Sequence, residues 1–331
     1  MDAHNMDPNQ MKKNFSFVLL SFLALFCASC SDVDNDIASR ENQNTANAIT
    51  KTVVTLNNGD QREYIVYIPS TYDETNESPL LFQLHGSSGD GEKYYTISGW
   101  NELAEIHNLI VVYPTSYSYD LKLNGCGNDL VTKWNNYNLP KEVCPSEVLR
   151  DDTSFFNQII DELVDEYSID TSRIYMAGFS NGSGMTSRLA VELSDRIAAI
   201  GGLAGFFPED TIYAPKRILP VHIMLGTTDE KIASRTIFND TIPMSFQQLF
   251  LDPTLRGITQ TYVKTFDLNP NYTVTDSTEH TLTATFQGNS GSPEHLMKFT
   301  LWKDLGHFFP NPDDRPGAAD VLWEFFEFYD N

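Results

Sequence analysis

Residues 178–182 read Gly-Phe-Ser-Asn-Gly, which is the G-x-S-x-G spacing of a nucleophilic serine. This pentapeptide stands between an apolar run at 174–177, typical of a buried strand, and a helical pattern over 182–193. A strand-to-helix turn this tight has room only for minimal side chains two places before and two places after the serine. Ser180 would lie at the start of the helix, where backbone N–H groups stabilise developing negative charge. The motif therefore predicts nucleophilic chemistry at Ser180.

A serine hydroxyl is a weak nucleophile near neutral pH, so it needs a histidine base and an acid that orients the base. Among the seven histidines, His307 follows an apolar run at 299–303 and opens onto a loop. Asp229 follows the run at 219–225 in the same manner. The carboxyl ends of parallel strands form the ligand-binding edge of a sheet, and the chain order Ser180, Asp229, His307 is that of α/β-hydrolases. We expect these three side chains to meet at that edge.

The segment His85-Gly86-Ser87 follows another apolar run, 80–84, and should reach the same edge. Acyl transfer passes through a tetrahedral intermediate whose negatively charged oxygen is stabilised by backbone N–H donors. We expect these donors to be the N–H of Asn181 together with that of Ser87 or Gly86.

Three side chains are candidates for contact with a substrate. His85 either orders its own loop or contacts the substrate. Trp134 and Tyr117 belong to the segment 115–150, whose pattern is irregular. These two rings either stack against a phenolic acyl group or a sugar, or they simply pack the segment.

Apolar runs alternate with helical patterns along the chain, which indicates the α/β class. An Asn-Gly turn at 58–59 joins the first two predicted strands in a hairpin. The predicted strands are 52–56, 62–68, 80–84, 109–113, 173–177, 197–203, 219–225 and 299–303, and the predicted helices are 101–108, 151–167, 182–193 and 318–329. This order predicts an α/β-hydrolase fold, with a mostly parallel central sheet and helices on both faces. An insertion, residues 230–306, separates the acid from the histidine and could form a lid over the acyl pocket.

Cys126 and Cys144 are both in the segment 115–150, which is rich in Gly and Asn. An exported chain can oxidise such a pair, so we expect a disulfide between them. Two cysteines without a nearby histidine make a poor zinc site. The predicted chemistry needs neither a metal nor an organic cofactor.

The N-terminal residues have the pattern of a targeting segment. Residues 1–29 are interpreted as an upstream extension and a lipoprotein signal peptide, because two lysines precede an apolar run at 15–26. The end of this run resembles a bacterial lipoprotein box, which makes Cys30 the predicted lipid anchor. Residues 30–50 read as a flexible tether and 51–331 as the catalytic domain. The predicted location is the cell envelope, anchored to the outer membrane, and the alternative is a simple secretory signal.

The charge of the chain excludes one class of partner. The sequence has 22 Lys and Arg against 45 Asp and Glu, a net charge of −23 over 331 residues. Such a polyanion does not bind nucleic acid, and it repels anionic polymers. Neutral esters on weakly charged glycans are therefore the expected substrates. The sequence does not indicate an oligomeric state.

Several stretches together resemble the esterase/polyhydroxybutyrate depolymerase family, which includes feruloyl and acetylxylan esterases. The resemblance extends from about residue 52 to residue 329. It rests on the run from Asp151 to Gly182 and on the landmarks Leu84-His85-Gly86, Val112-Tyr113-Pro114, Trp134-Asn135, Leu225 to Asp229 and Gly306-His307.

The resemblance implies a secreted serine carboxylesterase that hydrolyses feruloyl or acetyl esters on plant polysaccharide. Carried over to this sequence, the family triad falls on Ser180, Asp229 and His307. A polyhydroxyalkanoate depolymerase or a serine peptidase of the same fold is the alternative. A non-catalytic, glycan-binding surface lipoprotein is a third interpretation.

Overall fold

The computed structural model describes residues 51–127, 130–208, 211–292, 295–311 and 316–330. The predicted signal peptide (1–29), the lipid anchor at Cys30 and the tether (30–50) lie outside the described residues. Within the described ranges, no helix combines the length and the apolar character needed to cross a membrane.

The strands of the described residues are Lys51–Thr55 (β1), Gln61–Tyr67 (β2), Ser78–Leu84 (β3), Ile110–Pro114 (β4), Tyr117–Asp120 (β5), Leu130–Lys133 (β6), Ile169–Phe179 (β7), Ala199–Leu203 (β8), Val221–Gly226 (β9), Leu268–Ser277 (β10), Thr281–Gly288 (β11) and Leu296–Trp302 (β12). The α-helices are Gly91–Ile97 (α1), Trp100–His107 (α2), Leu139–Glu142 (α3), Asp152–Glu166 (α4), Asn181–Glu192 (α5), Glu230–Ala233 (α6), Phe246–Leu249 (α7), Pro253–Thr265 (α8) and Ala318–Phe326 (α9).

The central sheet has ten strands in the order β1-β2-β4-β3-β7-β8-β9-β12-β11-β10. The six strands from β4 to β12 in this order are parallel to one another, and the two strands at each edge are antiparallel to their neighbours. This arrangement confirms the predicted fold class. Because the parallel strands β3, β7, β9 and β12 end at the same edge, the segments that follow them converge there.

Helices cover both faces of this sheet. On one face, α4 and α5 pack into a core that includes Phe82, Ile160, Met176 and Leu189. On the other face, α1, α2 and α9 contribute to a second core. The spacing of three and four residues along α4 places its apolar side chains toward the sheet, and these are fully buried.

Two parts of the chain differ from the sequence prediction. Helix α1 was not predicted, although Asp90 is a suitable N-cap and accepts a hydrogen bond from the backbone N–H of Lys93 at 2.8 Å. The segment 115–150, named here the disulfide loop, is not irregular throughout. It contains the hairpin β5–β6 and the short helix α3. The predicted disulfide between Cys126 and Cys144 is confirmed.

The insertion, residues 230–306, is mostly not a lid. It begins with α6, α7 and α8, and its strands then continue the central sheet, because β11 pairs along its whole length with β12 and β10 pairs with β11. Aromatic rings of α7, β10 and β11 pack together beside this extension, including Phe246, Tyr272 and Phe286. Hydrogen bonding in the sheet and apolar packing account for most of the insertion.

Candidate active site

Ser180 occupies a sharp turn between β7 and α5. Its backbone has φ 52° and ψ −118°, a conformation that is uncommon for a residue with a side chain and that stores about 1–3 kcal/mol of strain. The flanking glycines are required by contact: a Cβ on Gly178 would lie 2.6 Å from the carbonyl carbon of Gly182, and a Cβ on Gly182 would lie 2.5 Å from the carbonyl oxygen of His85. The chain therefore exposes the Ser180 hydroxyl at the end of the strand.

The three residues predicted to act together are hydrogen-bonded in series. His307 Nε2 lies 3.0 Å from Ser180 Oγ, and His307 Nδ1 lies 2.8 Å from Asp229 Oδ2. Asp229 is fully buried at the end of β9, where its other oxygen accepts the backbone N–H groups of Lys231 and Ile232 at 3.0 and 3.1 Å. These bonds hold the carboxylate in one orientation, so it can in turn fix the plane of the imidazole ring.

The predicted oxyanion donors lie on the two loops that follow β3 and β7. Asn181 is the first residue of α5, so its N–H has no partner within the helix. The Ser87 N–H also has no hydrogen-bond acceptor among the described residues. Gly86 differs, because its backbone interacts with the Tyr94 hydroxyl, which opposes the rise that burial causes in the pKa of Tyr94. Ser87 is thus the freer of the two predicted donors on this loop.

The disulfide loop connects these two donor loops through Trp134. The Asn181 side chain accepts the backbone N–H of Trp134 at 2.6 Å and donates to its carbonyl oxygen at 3.2 Å. The Trp134 indole N–H donates to the carbonyl oxygen of His85 at 2.9 Å. One residue therefore ties the loop after β3 to the turn after β7.

The side chains of His85 and Trp134 are both fully buried, which favours the interpretation that they order and pack their segments over contact with a substrate. The rings of His85 and Trp134 pack together with centroids 5.0 Å apart, and His85 Nε2 accepts the backbone N–H of Ser116 at 2.9 Å. Burial lowers the pKa of His85 from 6.5 to about 4, so the ring is neutral and orders its loop.

Tyr117 also does not contact the cleft described below. The Arg150 guanidinium lies 4.4 Å from the centre of its ring and donates to its hydroxyl at 3.2 Å. Arg150 in turn forms an ion pair with Asp60 at 2.7 Å. Tyr117 therefore packs the disulfide loop against the β1–β2 turn, which was the second of the two interpretations.

The two neighbouring residues Asp151 and Asp152 have different structural roles. The sequence allows either residue as the N-cap of α4, and in the structure the cap is Asp151, which accepts the Ser154 N–H at 3.0 Å. Asp152 is fully buried and forms an ion pair with Arg62 at 2.7 Å. Its second oxygen accepts the backbone N–H of Asn135 at 2.6 Å, so this buried pair fixes the residue beside Trp134.

The Ser180 hydroxyl opens into a cleft of about 190 Å³. The cleft is lined by Gly86, Ser87, Gly89, Lys93, Tyr94, Phe179, Ser180, Lys231 and His307. Sequence reasoning missed Lys93, Tyr94 and Lys231 as site residues. The Asp90 cap signal could have predicted α1 and with it the first two, whereas only the position of Lys231 two residues after Asp229 pointed to the third.

Among the residues that the structure describes, one group of side chains has the spacing of metal ligands, namely Asp120 with Cys126 and Cys144. The two sulfur atoms are joined in the disulfide, so neither is a thiolate that could bind a metal ion.

The sequence profile of the phospholipase/carboxylesterase family matches residues 73–239, which is half of the chain. A bifunctional acetylxylan esterase/xylanase of Neocallimastix patriciarum is 30% identical over 174 residues, covering 52% of this chain and 22% of that protein. Feruloyl esterase B of Piromyces equi is 27% identical over 175 residues, covering 52% of this chain and 30% of that protein. The matches therefore span less than a third of the length of either relative.

Among solved structures, an acetyl xylan esterase from Aspergillus awamori aligns with 84% of this chain and 99% of its own, with a TM-score of 0.53 and 14% identity. At this identity the similarity concerns the fold alone. With its α/β-hydrolase architecture and the extent of the profile match, the chain belongs to the phospholipase/carboxylesterase family.

Proposed function

We propose that this protein is a serine carboxylesterase in which Ser180 is the nucleophile, His307 the general base and Asp229 the residue that orients the base. The observation that carries this proposal is the hydrogen-bonded series from Asp229 through His307 to Ser180, with the serine held on a strained turn that opens into a cleft.

In the first step, Ser180 Oγ attacks the ester carbonyl carbon while His307 Nε2 takes the hydroxyl proton. The carbonyl oxygen becomes an oxyanion, which the N–H groups of Asn181 and Ser87 stabilise. Loss of one such donor typically costs about 10²–10³ in rate. The intermediate then collapses, the C–O bond to the alcohol breaks, and His307 gives its proton to the departing alkoxide.

In the second step, water enters the site and His307 takes one of its protons. The resulting hydroxide attacks the acyl-serine, and collapse of the second intermediate returns the proton to Ser180 Oγ and releases the acid. Throughout both steps, the Asp229 carboxylate stabilises the imidazolium form of His307.

The proposed substrates are feruloyl or acetyl esters on plant polysaccharide. Two observations support this class: the names of the relatives in Neocallimastix patriciarum and Piromyces equi, and the family resemblance of the motifs. The proposed location is the cell envelope, with Cys30 as the lipid anchor. Replacement Cys30→Ala should move the protein from the membrane fraction to the soluble fraction of its host, and an unchanged distribution would contradict the anchor.

The test of the catalytic assignment is Ser180→Ala. We expect hydrolysis of 4-nitrophenyl acetate to fall by at least about 10³-fold, because the nucleophile is lost while the oxyanion donors remain. Ser234→Ala, which changes an exposed serine after α6, is the matched control and should keep full activity. Unchanged turnover in Ser180→Ala would overturn the assignment.

A fluorophosphonate probe and a substrate panel separate the alternatives. The probe should add one label to the wild type and none to Ser180→Ala; a wild type that is not labelled would favour a non-catalytic glycan-binding protein. Methyl ferulate, acetylated xylan, hydroxybutyrate oligomers and a peptide are then compared by kcat/KM. A preference for hydroxybutyrate oligomers would support the depolymerase, and a preference for the peptide would support the peptidase, in place of the polysaccharide esterase.

A further inference from the structure

Two lysines from separate elements line the cleft that contains Ser180. Lys93 belongs to α1, which follows the loop with Gly86 and Ser87, and Lys231 belongs to α6, which follows Asp229. They are 138 positions apart in the chain, so no run of basic residues marks them in the sequence. The fold brings two cationic side chains to one small cavity.

Both ammonium groups lack a neutralising partner. Neither Lys93 nor Lys231 has an ion pair or a side-chain hydrogen bond among the described residues. This differs from three other lysines, which pair with Glu or Asp side chains: Lys51, Lys133 and Lys216. The chain has a net charge of −23, so acidic side chains that could pair with these two lysines are abundant in the sequence.

The carboxylates adjacent to the two lysines are bound elsewhere. Glu92, next to Lys93, forms an ion pair with Lys51 at 3.1 Å. Glu230, next to Lys231, accepts the backbone N–H of His307 at 3.3 Å. The acidic side chain of the triad, Asp229, is fully buried and held by His307 and the start of α6.

Among the described residues that line the cleft, there is no Asp or Glu. Its cationic side chains are therefore Lys93 and Lys231, beside the polar groups of Ser87, Tyr94 and Ser180. Distant surface charges are screened over about 8–10 Å at ordinary ionic strength, so a group inside the cleft interacts mainly with the charges of the side chains that line it. The cleft can thus attract a single negative charge although the whole protein repels a polyanion.

We propose that the cleft selects esters that carry one free carboxylate close to the scissile carbonyl, with Lys93 and Lys231 as the groups that bind it. This inference rests on the proposed esterase activity and specifies its substrate class. The carboxylate belongs either to the acyl group or to the alcohol, because both parts of an ester extend from the carbonyl at Ser180. An ester with a single carboxylate near the scissile bond, and not an acidic polymer, is the class that fits.

The test compares esters in pairs in which a free carboxylate is replaced by its neutral methyl ester. For the acyl side, the pair is 4-nitrophenyl hydrogen adipate and its neutral methyl ester; for the alcohol side, it is 4-acetoxybenzoate and its neutral methyl ester. The quantity measured is the ratio of kcat/KM for the charged ester to that for the neutral ester. Hydrolysis by Ser180→Ala is subtracted to remove the uncatalysed reaction.

We expect the wild type to prefer the charged member of at least one pair, and the pair that shows the preference identifies the side of the ester. Lys93→Gln and Lys231→Gln should each lower this ratio by about threefold to tenfold, and Lys231→Glu should lower it further. Raising the salt from about 20 mM to about 500 mM should also lower the ratio. Lys264→Gln, which changes an unpaired, exposed lysine on α8, is the matched control and should leave the ratio unchanged.

The outcomes separate this inference from the proposed function. If all neutral esters are hydrolysed but neither pair shows a charge preference, or if the ratio is the same in Lys93→Gln and Lys231→Gln as in Lys264→Gln, the carboxylate inference is wrong and the esterase proposal stands. If no ester is hydrolysed by the wild type above the Ser180→Ala background, the esterase proposal itself fails.

Discussion

The disulfide loop and the insertion both leave the central sheet at the edge where Ser180 lies, yet they contribute to the molecule in different ways. The disulfide loop follows β4 and turns toward the site, where Trp134 contacts the loops of both oxyanion donors. The insertion follows β9 and turns away, and it adds three strands, β12, β11 and β10, to the sheet beside β9. Of the described residues of the insertion, only Lys231 is among those that line the cleft.

The two regions also differ in the kind of contact that holds them. The disulfide loop is fixed by buried polar bonds to the site, together with the buried ion pair between Arg62 and Asp152. The insertion is fixed by strand pairing and by aromatic packing. Buried polar bonds are directional, so their loss moves the groups that they orient, whereas lost apolar packing mainly lowers the free energy of unfolding. This difference predicts which substitutions change the rate.

Among the substitutions that test this contrast between the two regions, the largest effect is expected for Asn181→Ala. The backbone N–H of residue 181 remains, but the two hydrogen bonds to Trp134 are lost and leave buried polar groups without partners, at about 1–3 kcal/mol each. The position of the oxyanion donors should then relax, and kcat should fall by about 10–100-fold. Rates are measured per active site titrated with the fluorophosphonate probe, so that unfolded protein is not counted.

The matched control in the insertion is Thr283→Val, which removes a buried hydroxyl bonded to Thr300 at 2.8 Å. It should lower the free energy of unfolding by about 1 kcal/mol and leave kcat within a factor of two. If Asn181→Ala kept its kcat, or if Thr283→Val lost as much, the contrast between the two regions would be refuted.

The fold was largely predictable because apolar runs report buried parallel strands directly. The strands β3, β4, β7, β9 and β12 and the helices α4 and α5 were each predicted within a few residues. The convergence of Ser180, Asp229 and His307 was also predictable, since each follows such a strand and the strands end at one edge. Whether a segment forms a buried strand, and which residue follows the end of that strand, can be read from the residues of the segment itself.

The contacts of the two long segments were not predictable, because they depend on which distant groups meet. Trp134 gave no local sign of whether its ring faces a substrate or the core, and its burial follows from Asn181 and His85, which are more than 45 positions away. Strands β10 and β11 are rich in Thr and exposed on one side, so they lack the continuous apolar pattern that marks the central strands. The presence of Lys93 and Lys231 in one cleft was not predictable for the same reason, because the two residues are distant in the sequence and only the fold brings them together.

The second prediction concerns the disulfide. Replacement of Cys126 and Cys144 by Ser should lower the free energy of unfolding by about 3 kcal/mol, which is typical for a link that closes a loop of this length. Because the loop carries Trp134, we also expect kcat to fall a few-fold at temperatures where the protein is still folded. Denaturant unfolding with and without a reductant provides the measurement. Reductant should have no effect on the Ser variant; a stability loss without any change in kcat would mean that the polar bonds alone position the site.

The third prediction compares two buried histidines, His85 at the site and His222 in β9. Burial lowers the pKa of His85 to about 4 and that of His222 to about 3, both from 6.5. Since the unfolded chain binds a proton at a higher pH than the folded one, the stability that each neutral ring contributes is present above pH 6.5 and is lost as the pH falls toward these lower values. At pH 4.5 the loss should be about 2–3 kcal/mol for each histidine.

This pH dependence is measured by denaturant unfolding between pH 4.5 and pH 7.5. His222→Gln should reduce the slope of the free energy of unfolding against pH by the contribution of one proton. It should leave the rate per titrated site unchanged at pH 7.5. His85→Gln should reduce the slope equally but also lower kcat, because the Ser116 N–H and the Gly86 carbonyl lose their fixed partner. Equal rates in the two variants would show that His85 does not order the loop of the oxyanion donors.

The smallest effects are expected for exposed apolar residues of the two regions. Val274 lies on the edge strand β10 with 49% of its surface exposed, and Leu123 lies in the disulfide loop with 93% exposed. Val274→Lys and Leu123→Lys should each change the free energy of unfolding by no more than about 0.5 kcal/mol, because a charged residue is well tolerated at such positions. Both variants should keep kcat.

This pair of variants tests whether the rate depends on the disulfide loop as a whole or only on its buried polar bonds. If it depends on the buried polar bonds, a substitution on the surface of the loop must leave kcat unchanged, as a substitution on the surface of the insertion does. A rate loss in Leu123→Lys alone would mean that the exposed part of the loop itself touches the substrate.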